Sequence, residues 1–125
     1  MTVLPQTVHQ AWEDHEGPIV LTTVDEAGTP NAIYATCVRK VNQDTWVVAD
    51  NFFNKTRANI LSGSKGALLF ITKEGKSYQV KGRIEYHTEG QVFDDMKQWN
   101  PSKLPGHAAA ALVAEQVFSG GEQII

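Results

Sequence analysis

The spacing of apolar and polar residues predicts a chain of strands preceded by one helix. Val3, Val8, Ala11 and Trp12 recur at near-helical intervals, which predicts a helix over residues 2–15 that Gly17 and Pro18 end. Six later segments are rich in β-branched or apolar residues and are separated by polar turns, which predicts strands. These segments are residues 19–25, 32–41, 46–49, 66–72, 78–88 and 108–118.

Two of the connections between strands are predicted to be short helices, over residues 55–62 and 91–99. In the first ninety residues only one connection between strands is helical, whereas a doubly wound parallel sheet needs a helix between most of its strands. We therefore expect a mostly β fold, a six-stranded antiparallel barrel with short peripheral helices (α+β).

Length, net charge, apolar runs and cysteine content limit the classes of protein to which the chain is expected to belong. The 125 residues fit one domain, which we expect to span residues 1–125, and the net charge of −3 gives no basic field for nucleic acid. No apolar run is long enough to span a bilayer and the first residues lack a signal-peptide core, so a cytoplasmic location is expected. Cys37 is the only cysteine, which agrees with a reducing compartment.

The segment from Asn51 to Asn59 carries the clearest chemical signal. Asn54 suits the N-cap of the short helix, and Lys55 and Arg57 fall in its first turn, where acidic residues are usually favoured. Two cations, the Thr56 hydroxyl and unpaired backbone N–H groups form a receptor for an anion, most simply a phosphate. A solvated surface turn is the alternative, and these residues alone fit both.

Other candidate sites are weaker. The four histidines lack metal-ligand spacing, and residues 62–66 fit a helix C-cap and turn better than a phosphate loop. Cys37 lies in the middle of a strand, which favours a buried, inert thiol. Two isoleucines, Ile124 and Ile125, end the chain, and a partner subunit would cover them, although docking on their own domain is the alternative.

A family resemblance follows from three features. They are the order of elements, the Lys55-Thr56-Arg57-Ala58-Asn59 run after a strand containing two valines, and the ending from Ala110-Ala111-Leu112-Val113 to Glu122-Gln123. In these the chain resembles the FMN-binding split-barrel proteins of the pyridoxamine 5'-phosphate oxidase-like superfamily, particularly the small FMN-binding proteins of sulfate-reducing bacteria. The resemblance covers residues 17–125 and implies a six-stranded split barrel, a homodimer and one FMN per subunit at the dimer interface.

The resemblance also implies which residues contact the cofactor. Lys55 and Thr56 match the family's phosphate-binding pair, with Asn54 beside the phosphate, where the helix-start argument independently places an anion. The strand that follows the flavin ring and the phosphate is matched by Tyr34, Ala35 and Thr36. The strand end beside the isoalloxazine and ribityl chain is matched by Ala49, Asp50 and Asn51.

Two further matches lie near the C-terminus. His107 stands where the relatives of sulfate-reducing bacteria have a tryptophan against the flavin, and Ile125 matches a terminal apolar residue contributed by the other subunit. The resemblance thus implies an FMN-binding flavoprotein for electron transfer or a flavin-dependent oxidoreductase reaction, with no acid or base identified for catalysis.

Three alternatives stay open. A pyridoxamine phosphate oxidase-like enzyme fits less well, because the chain is short and lacks basic residues for a second phosphate near its C-terminus. A relative that binds haem or a deazaflavin would differ in its visible spectrum. A cofactor-free dimeric binding module would be colourless.

Overall fold

The computed structural model describes residues 3–125 and contains three helices and eight strands in that range. Met1 and Thr2, with which the predicted first helix begins, lie outside the described residues. The elements run α1 (Gln6–Glu13), β1 (Ile19–Val24), β2 (Pro30–Ala35), β3 (Val38–Lys40), β4 (Thr45–Asp50), α2 (Lys55–Leu61), β5 (Gly66–Ile71), β6 (Ser77–His87), α3 (Gln91–Trp99), β7 (Ala108–Ser119) and β8 (Glu122–Gln123).

All strands belong to one curled antiparallel sheet, so the predicted mostly β, split-barrel class is confirmed. The strand order is β2-β1-β5-β6-β7-β4-β3, and β8 pairs with β7. The strand count is eight instead of six for two reasons: the segment 32–41 divides at Thr36 and Cys37, and the two-residue strand β8 lies in the tail, beyond the last predicted strand. The first half of the divided segment pairs with β1 and its second half with β4, at opposite ends of the strand order. Local alternation does not reveal such a change of partner, because partner choice depends on distant residues.

The core lies on both faces of β4, which explains why all six of its residues are buried. On the concave side Trp46 and Val48 pack with Leu21, Leu68 and Leu112. On the outer side α3 places Met96 against a second cluster that includes Val47 and Ala49. A fully buried side chain of this size contributes roughly 1.5 to 3 kcal/mol. The end of β4 is therefore held firmly from two sides.

Strand β6 carries a register shift between Lys81 and Gly82 where it pairs with β7. A Cβ atom added to Gly82 would lie 1.8 Å from the carbonyl oxygen of Val113. Only glycine allows this close approach of two backbones.

The first helix begins later than the sequence predicts, and the C-terminal tail packs on its own domain. Helix α1 starts at Gln6, because Pro5 disfavours a helical conformation at Leu4. At the other end Ile124 and Ile125 pack half-buried against the chain's own core, and the Ile124 N–H donates to the carbonyl of Val117 at 2.7 Å. The tail therefore docks on its own domain while both side chains stay partly exposed, and their cover by a partner subunit stays a prediction.

No helix in residues 3–125 is both long and apolar enough to cross a membrane. The cytoplasmic location stays a prediction.

Candidate functional site

A cleft of about 480 Å³ lies between β2, the end of β4 and the start of α2, and we name it the β2–α2 cleft. Eight of the eleven residues that the sequence points to as cofactor contacts line it. They are Tyr34, Ala35, Thr36, Ala49, Asn51, Asn54, Lys55 and Thr56. The fold thus brings together residues that are up to 22 positions apart in the chain, although their contact with a cofactor stays a prediction.

One end of the cleft is polar. The Asn31 side-chain amide donates to the Thr56 hydroxyl oxygen at 3.1 Å, and Thr56 is buried. Since this oxygen already accepts a hydrogen bond, the hydroxyl proton of Thr56 can be donated to a ligand. Lys55 is exposed beside it and adds a positive charge.

Asn54 occupies the N-cap position of α2, but its side chain makes no capping hydrogen bond, so the predicted cap interaction is wrong. The backbone N–H groups of the first turn have no partner within the helix. The Asn54 side chain accepts no hydrogen bond from them. Helix α2 is only seven residues long, so side chains rather than the helix dipole must supply most of the attraction for an anion.

The other end of the cleft is apolar. Small side chains of Ala35 and Ala49 leave space there, next to Val48 and Leu104. The Ala49 N–H donates to the Cys37 carbonyl at 2.9 Å, which joins this wall to the start of β3. Cys37 itself lines the cleft and is half-buried, so the expectation of a buried thiol is wrong, while its inertness stays a prediction.

Two aromatic side chains line the cleft while remaining open to solvent. Tyr34 is 72% exposed and Phe52 is 78% exposed. Exposed aromatic rings beside a cleft are typical of a surface that another molecule covers.

Asp50 does not line the cleft but is fully buried beside it. Its carboxylate accepts hydrogen bonds from Arg57 at 2.8 and 2.9 Å, from the Tyr86 hydroxyl at 2.5 Å and from the Phe53 N–H at 3.0 Å. The Arg57 guanidinium is therefore committed to Asp50. Arg57 takes part in this ion pair instead of the predicted anion receptor, whose positive charge comes from Lys55.

The ionisation of this cluster follows from its contacts. Burial alone raises the pKa of the Asp50 carboxyl, but the hydrogen bonds from Arg57, Tyr86 and Phe53 outweigh it and hold that pKa below its ordinary value. Burial, followed by the hydrogen bond to Asp50, raises the pKa of the Tyr86 hydroxyl. Asp50 therefore stays ionised and Tyr86 stays neutral at neutral pH, which keeps the end of β4 joined to α2 and β6.

Asn51 faces a second buried network. Its amide N–H₂ donates to Asn100 Oδ1 at 3.1 Å, and the Asn100 amide donates back to Asn51 Oδ1 at 2.9 Å. The Gly106 N–H donates to the same Asn51 oxygen at 2.9 Å. This pairing links the cleft to the loop after α3.

The two remaining candidates lie outside the cleft. His107 has an exposed side chain, and its backbone N–H donates to the Asp50 carbonyl at 2.8 Å. Ile125 packs against the chain's own core. Their roles as cofactor contacts stay predictions, and that of Ile125 depends on a second subunit.

Sequence reasoning missed several residues that shape this region. They are Asn31, Phe52, Tyr86, Asn100 and Leu104. Four of them, all but Phe52, act at the site from distant parts of the chain, such as Asn31, which lies 25 positions from Thr56. Phe52 alone had a local signal, as an aromatic residue next to the predicted anion-binding turn.

Comparison with known proteins identifies relatives over most of the chain. A family model described as pyridoxamine 5'-phosphate oxidase matches residues 5–119. An uncharacterised protein of Methanocaldococcus jannaschii is 35% identical over 77 residues, which is 60% of this chain and 52% of that protein. The match thus spans about half the length of this curated relative.

Solved structures share the fold. HupZ of Group A Streptococcus superposes with a TM-score of 0.82 at 23% identity, covering 98% of each chain. An FMN-binding protein from Syntrophomonas wolfei has a TM-score of 0.71 at 22% identity, covering 81% of this chain and 75% of that one. At such identities the likeness establishes the architecture alone. The narrower resemblance to proteins of sulfate-reducing bacteria stays a prediction.

Proposed function

We propose that this chain, which belongs to the pyridoxamine 5'-phosphate oxidase family, binds FMN in the β2–α2 cleft and acts as a flavin-dependent redox protein. The observation that carries the proposal is that one cleft is lined both by Lys55, Thr56 and the amides of Asn31 and Asn54 and by apolar residues of β2 and β4. A mononucleotide with a charged phosphate and a flat, largely apolar ring needs both kinds of surface.

The polar end fits a phosphate. Lys55 supplies a positive charge, the Thr56 hydroxyl supplies a donor, and Asn31 orients that hydroxyl by its 3.1 Å hydrogen bond. Charge-assisted hydrogen bonds of this kind are stronger than neutral ones. The Asn54 amide, which is not used as a helix cap, adds a further donor at the same end.

The apolar end fits the ring. Strand β2 carries the cleft wall from Asn31 to Ala35, which at about 3.3 Å per residue is roughly 13 Å. This is the length scale of an extended mononucleotide. Ala35 and Ala49 contribute no bulk that would obstruct a planar group, and Leu104 adds apolar contact.

Bound FMN would supply the electron chemistry, and the chain would supply position, burial and electrostatics. Among the described residues that line the cleft there is no aspartate, glutamate or histidine. General acid–base catalysis uses these side chains most often, but lysine, tyrosine and cysteine also serve, and Lys55, Tyr34 and Cys37 line the cleft. The lining is therefore compatible with both forms of the proposal, electron transfer through the flavin and a flavin-dependent oxidoreductase reaction.

We also propose that a second copy of the chain covers the cleft. Tyr34 and Phe52 are large, exposed and next to the cofactor site. Burial of these rings against a partner would remove apolar surface from water and would shield one side of the bound ring. The redox partner is a separate molecule whose identity the cleft does not specify.

The absorption spectrum of the purified protein, with a titration of FMN into the ligand-free form, tests the proposal. We expect flavin bands in the visible region, release of FMN on denaturation and saturable rebinding. Haem or deazaflavin bands, or no binding by FMN, would reject it.

A further inference from the structure

The loop over residues 101–107, between α3 and β7, reaches the β2–α2 cleft through Leu104. The rest of the cleft lining comes from residues 31–37 and 48–56. Leu104 is thus a distant part of the chain placed against the apolar end of the cleft, and its position depends on what holds this loop.

Asn100 is the main anchor of the loop. It exchanges two hydrogen bonds with Asn51, at 3.1 and 2.9 Å, and both residues are buried. A buried amide that loses its partner carries the full desolvation penalty of its polar atoms. The reciprocal pair therefore holds the end of α3 in one position relative to the cleft.

Two further contacts close the loop onto this pair. The Gly106 N–H donates to Asn51 Oδ1 at 2.9 Å, and the Lys97 ammonium donates to the Pro105 carbonyl at 2.9 Å. Gly106 has a φ of +52°, and a Cβ atom there would lie 3.1 Å from both the Asn100 amide nitrogen and the Lys97 ammonium. The loop is packed so closely on α3 that a side chain at Gly106 would strain it.

We propose that Asn100 is a positioning residue for the cofactor: through Asn51 it holds the loop so that Leu104 shields the apolar end of the cleft from water. The inference rests on the proposed function, since it assigns the flavin ring to that end. Asn51 has a double role, because it lines the cleft and also orients the loop.

Amide hydrogen exchange in the ligand-free protein tests the first half of the proposal. We expect Asn100→Ala to speed exchange at Gly106 and Leu104 by about tenfold or more, because a broken anchor lowers the free energy of local opening. Lys103→Ala, at an exposed residue of the same loop, should leave these rates unchanged. Unchanged exchange in Asn100→Ala would overturn the proposal, whether or not FMN binds.

Iodide quenching of the fluorescence of bound FMN tests the second half. We expect Asn100→Ala and Leu104→Ala each to raise the quenching constant toward that of free FMN, and the double variant to add little, because both act on one loop. The ratio of the dissociation constants for riboflavin and FMN should stay at the wild-type value, because the phosphate end is untouched.

The two proposals fail in different ways. Wild-type quenching in Asn100→Ala, while Lys55→Ala still weakens FMN binding, would overturn the role of Asn100 and leave the FMN site intact. Absence of FMN binding by the wild type would reject the proposed function and, with it, the shielding of a flavin. If Asn100→Ala does not fold, Asn100→Asp keeps the size of the side chain and the acceptor for the Asn51 amide but loses the donor to Asn51 Oδ1, and it serves for both measurements, with the same two outcomes.

Discussion

Asp50 and Arg57 form a two-point ion pair across the turn between β4 and α2, with nitrogen–oxygen distances of 2.8 and 2.9 Å. The carboxylate is fully buried, while about a third of the Arg57 side chain is open to solvent. This pair joins the end of β4 to the first turn of α2, which carries Lys55 and Thr56 at the cleft. Neither Asp50 nor Arg57 lines the cleft, and the role of Asp50 as a cofactor contact stays a prediction.

Loss of the Asp50 carboxylate should destabilise the fold. Asp50→Ala leaves Arg57 without its partner and the Tyr86 hydroxyl without its acceptor, and we expect a loss of about 3 kcal/mol in the free energy of unfolding. Urea denaturation measures it. The matched control is Glu115→Ala, which breaks an ion pair with Lys65 between exposed side chains and should cost at most about 1 kcal/mol. Equal losses would contradict a structural role for the buried pair.

Low pH should remove the stabilisation that the ionised Asp50 carboxylate provides. The pKa of Asp50 lies lower in the folded chain than its unfolded value near 3.9, so the folded state favours the ionised form. This contribution is present above about pH 4 and is lost as the pH falls through the folded pKa. We expect the stability difference between wild type and Asp50→Asn to shrink from pH 6 to pH 3 in urea titrations. A constant difference would show that ionisation of Asp50 is not its source.

Removal of the Lys55 ammonium should weaken FMN binding through the phosphate. We expect Lys55→Ala to lose about 1.5 to 3 kcal/mol in binding free energy for FMN and little for riboflavin, which has no phosphate. Isothermal titration calorimetry with both ligands measures this. Lys73→Ala removes an exposed lysine outside the cleft and should bind FMN like the wild type. Equal losses for both ligands in Lys55→Ala would place the phosphate elsewhere.

The bulge in β6 should tolerate no side chain. Gly82→Ala places a Cβ atom against the Val113 carbonyl, so we expect a loss of about 3 kcal/mol or failure to fold. Gly121→Ala is the control, because nothing lies within 4 Å of a Cβ atom there. Thermal unfolding followed by circular dichroism compares the two. A Gly82→Ala protein as stable as the control would mean that the two strands are farther apart than described.

A charge at the exposed aromatic residues should prevent self-association. We expect Phe52→Glu to shift the protein from dimer to monomer in light scattering, because a carboxylate at a covered apolar position costs desolvation energy. Val3→Glu is matched in exposure, at 78% for both residues, and should leave the dimer unchanged. A monomeric wild-type protein would contradict the proposed dimer.

The sequence by itself determined the elements whose pattern is complete within one segment. Alternation over residues 78–88 predicted β6 to within one residue at each end, and the helix over residues 91–99 agrees with α3. The hypothesis of an anion-binding turn at Lys55 and Thr56 also came from local signals, residue type and position in the first turn, and it stays a prediction. Short-range periodicity reports which face of an element is buried, and that is enough for such predictions.

Only the tertiary structure decided which groups pair with one another. Arg57 appears in the sequence as a second cation for an anion, but the fold brings it to Asp50 and Tyr86. The division of the third predicted element into β2 and β3, and the exchange of hydrogen bonds between Asn51 and Asn100, likewise depend on residues far apart in the chain. The contacts of Arg57 with Tyr86 and of Asn51 with Asn100 form when the folding of the whole sheet brings their elements together, so no short window of the sequence contains them. Asp50 and Arg57 are only seven positions apart, but residue type and spacing do not show that their side chains turn toward each other.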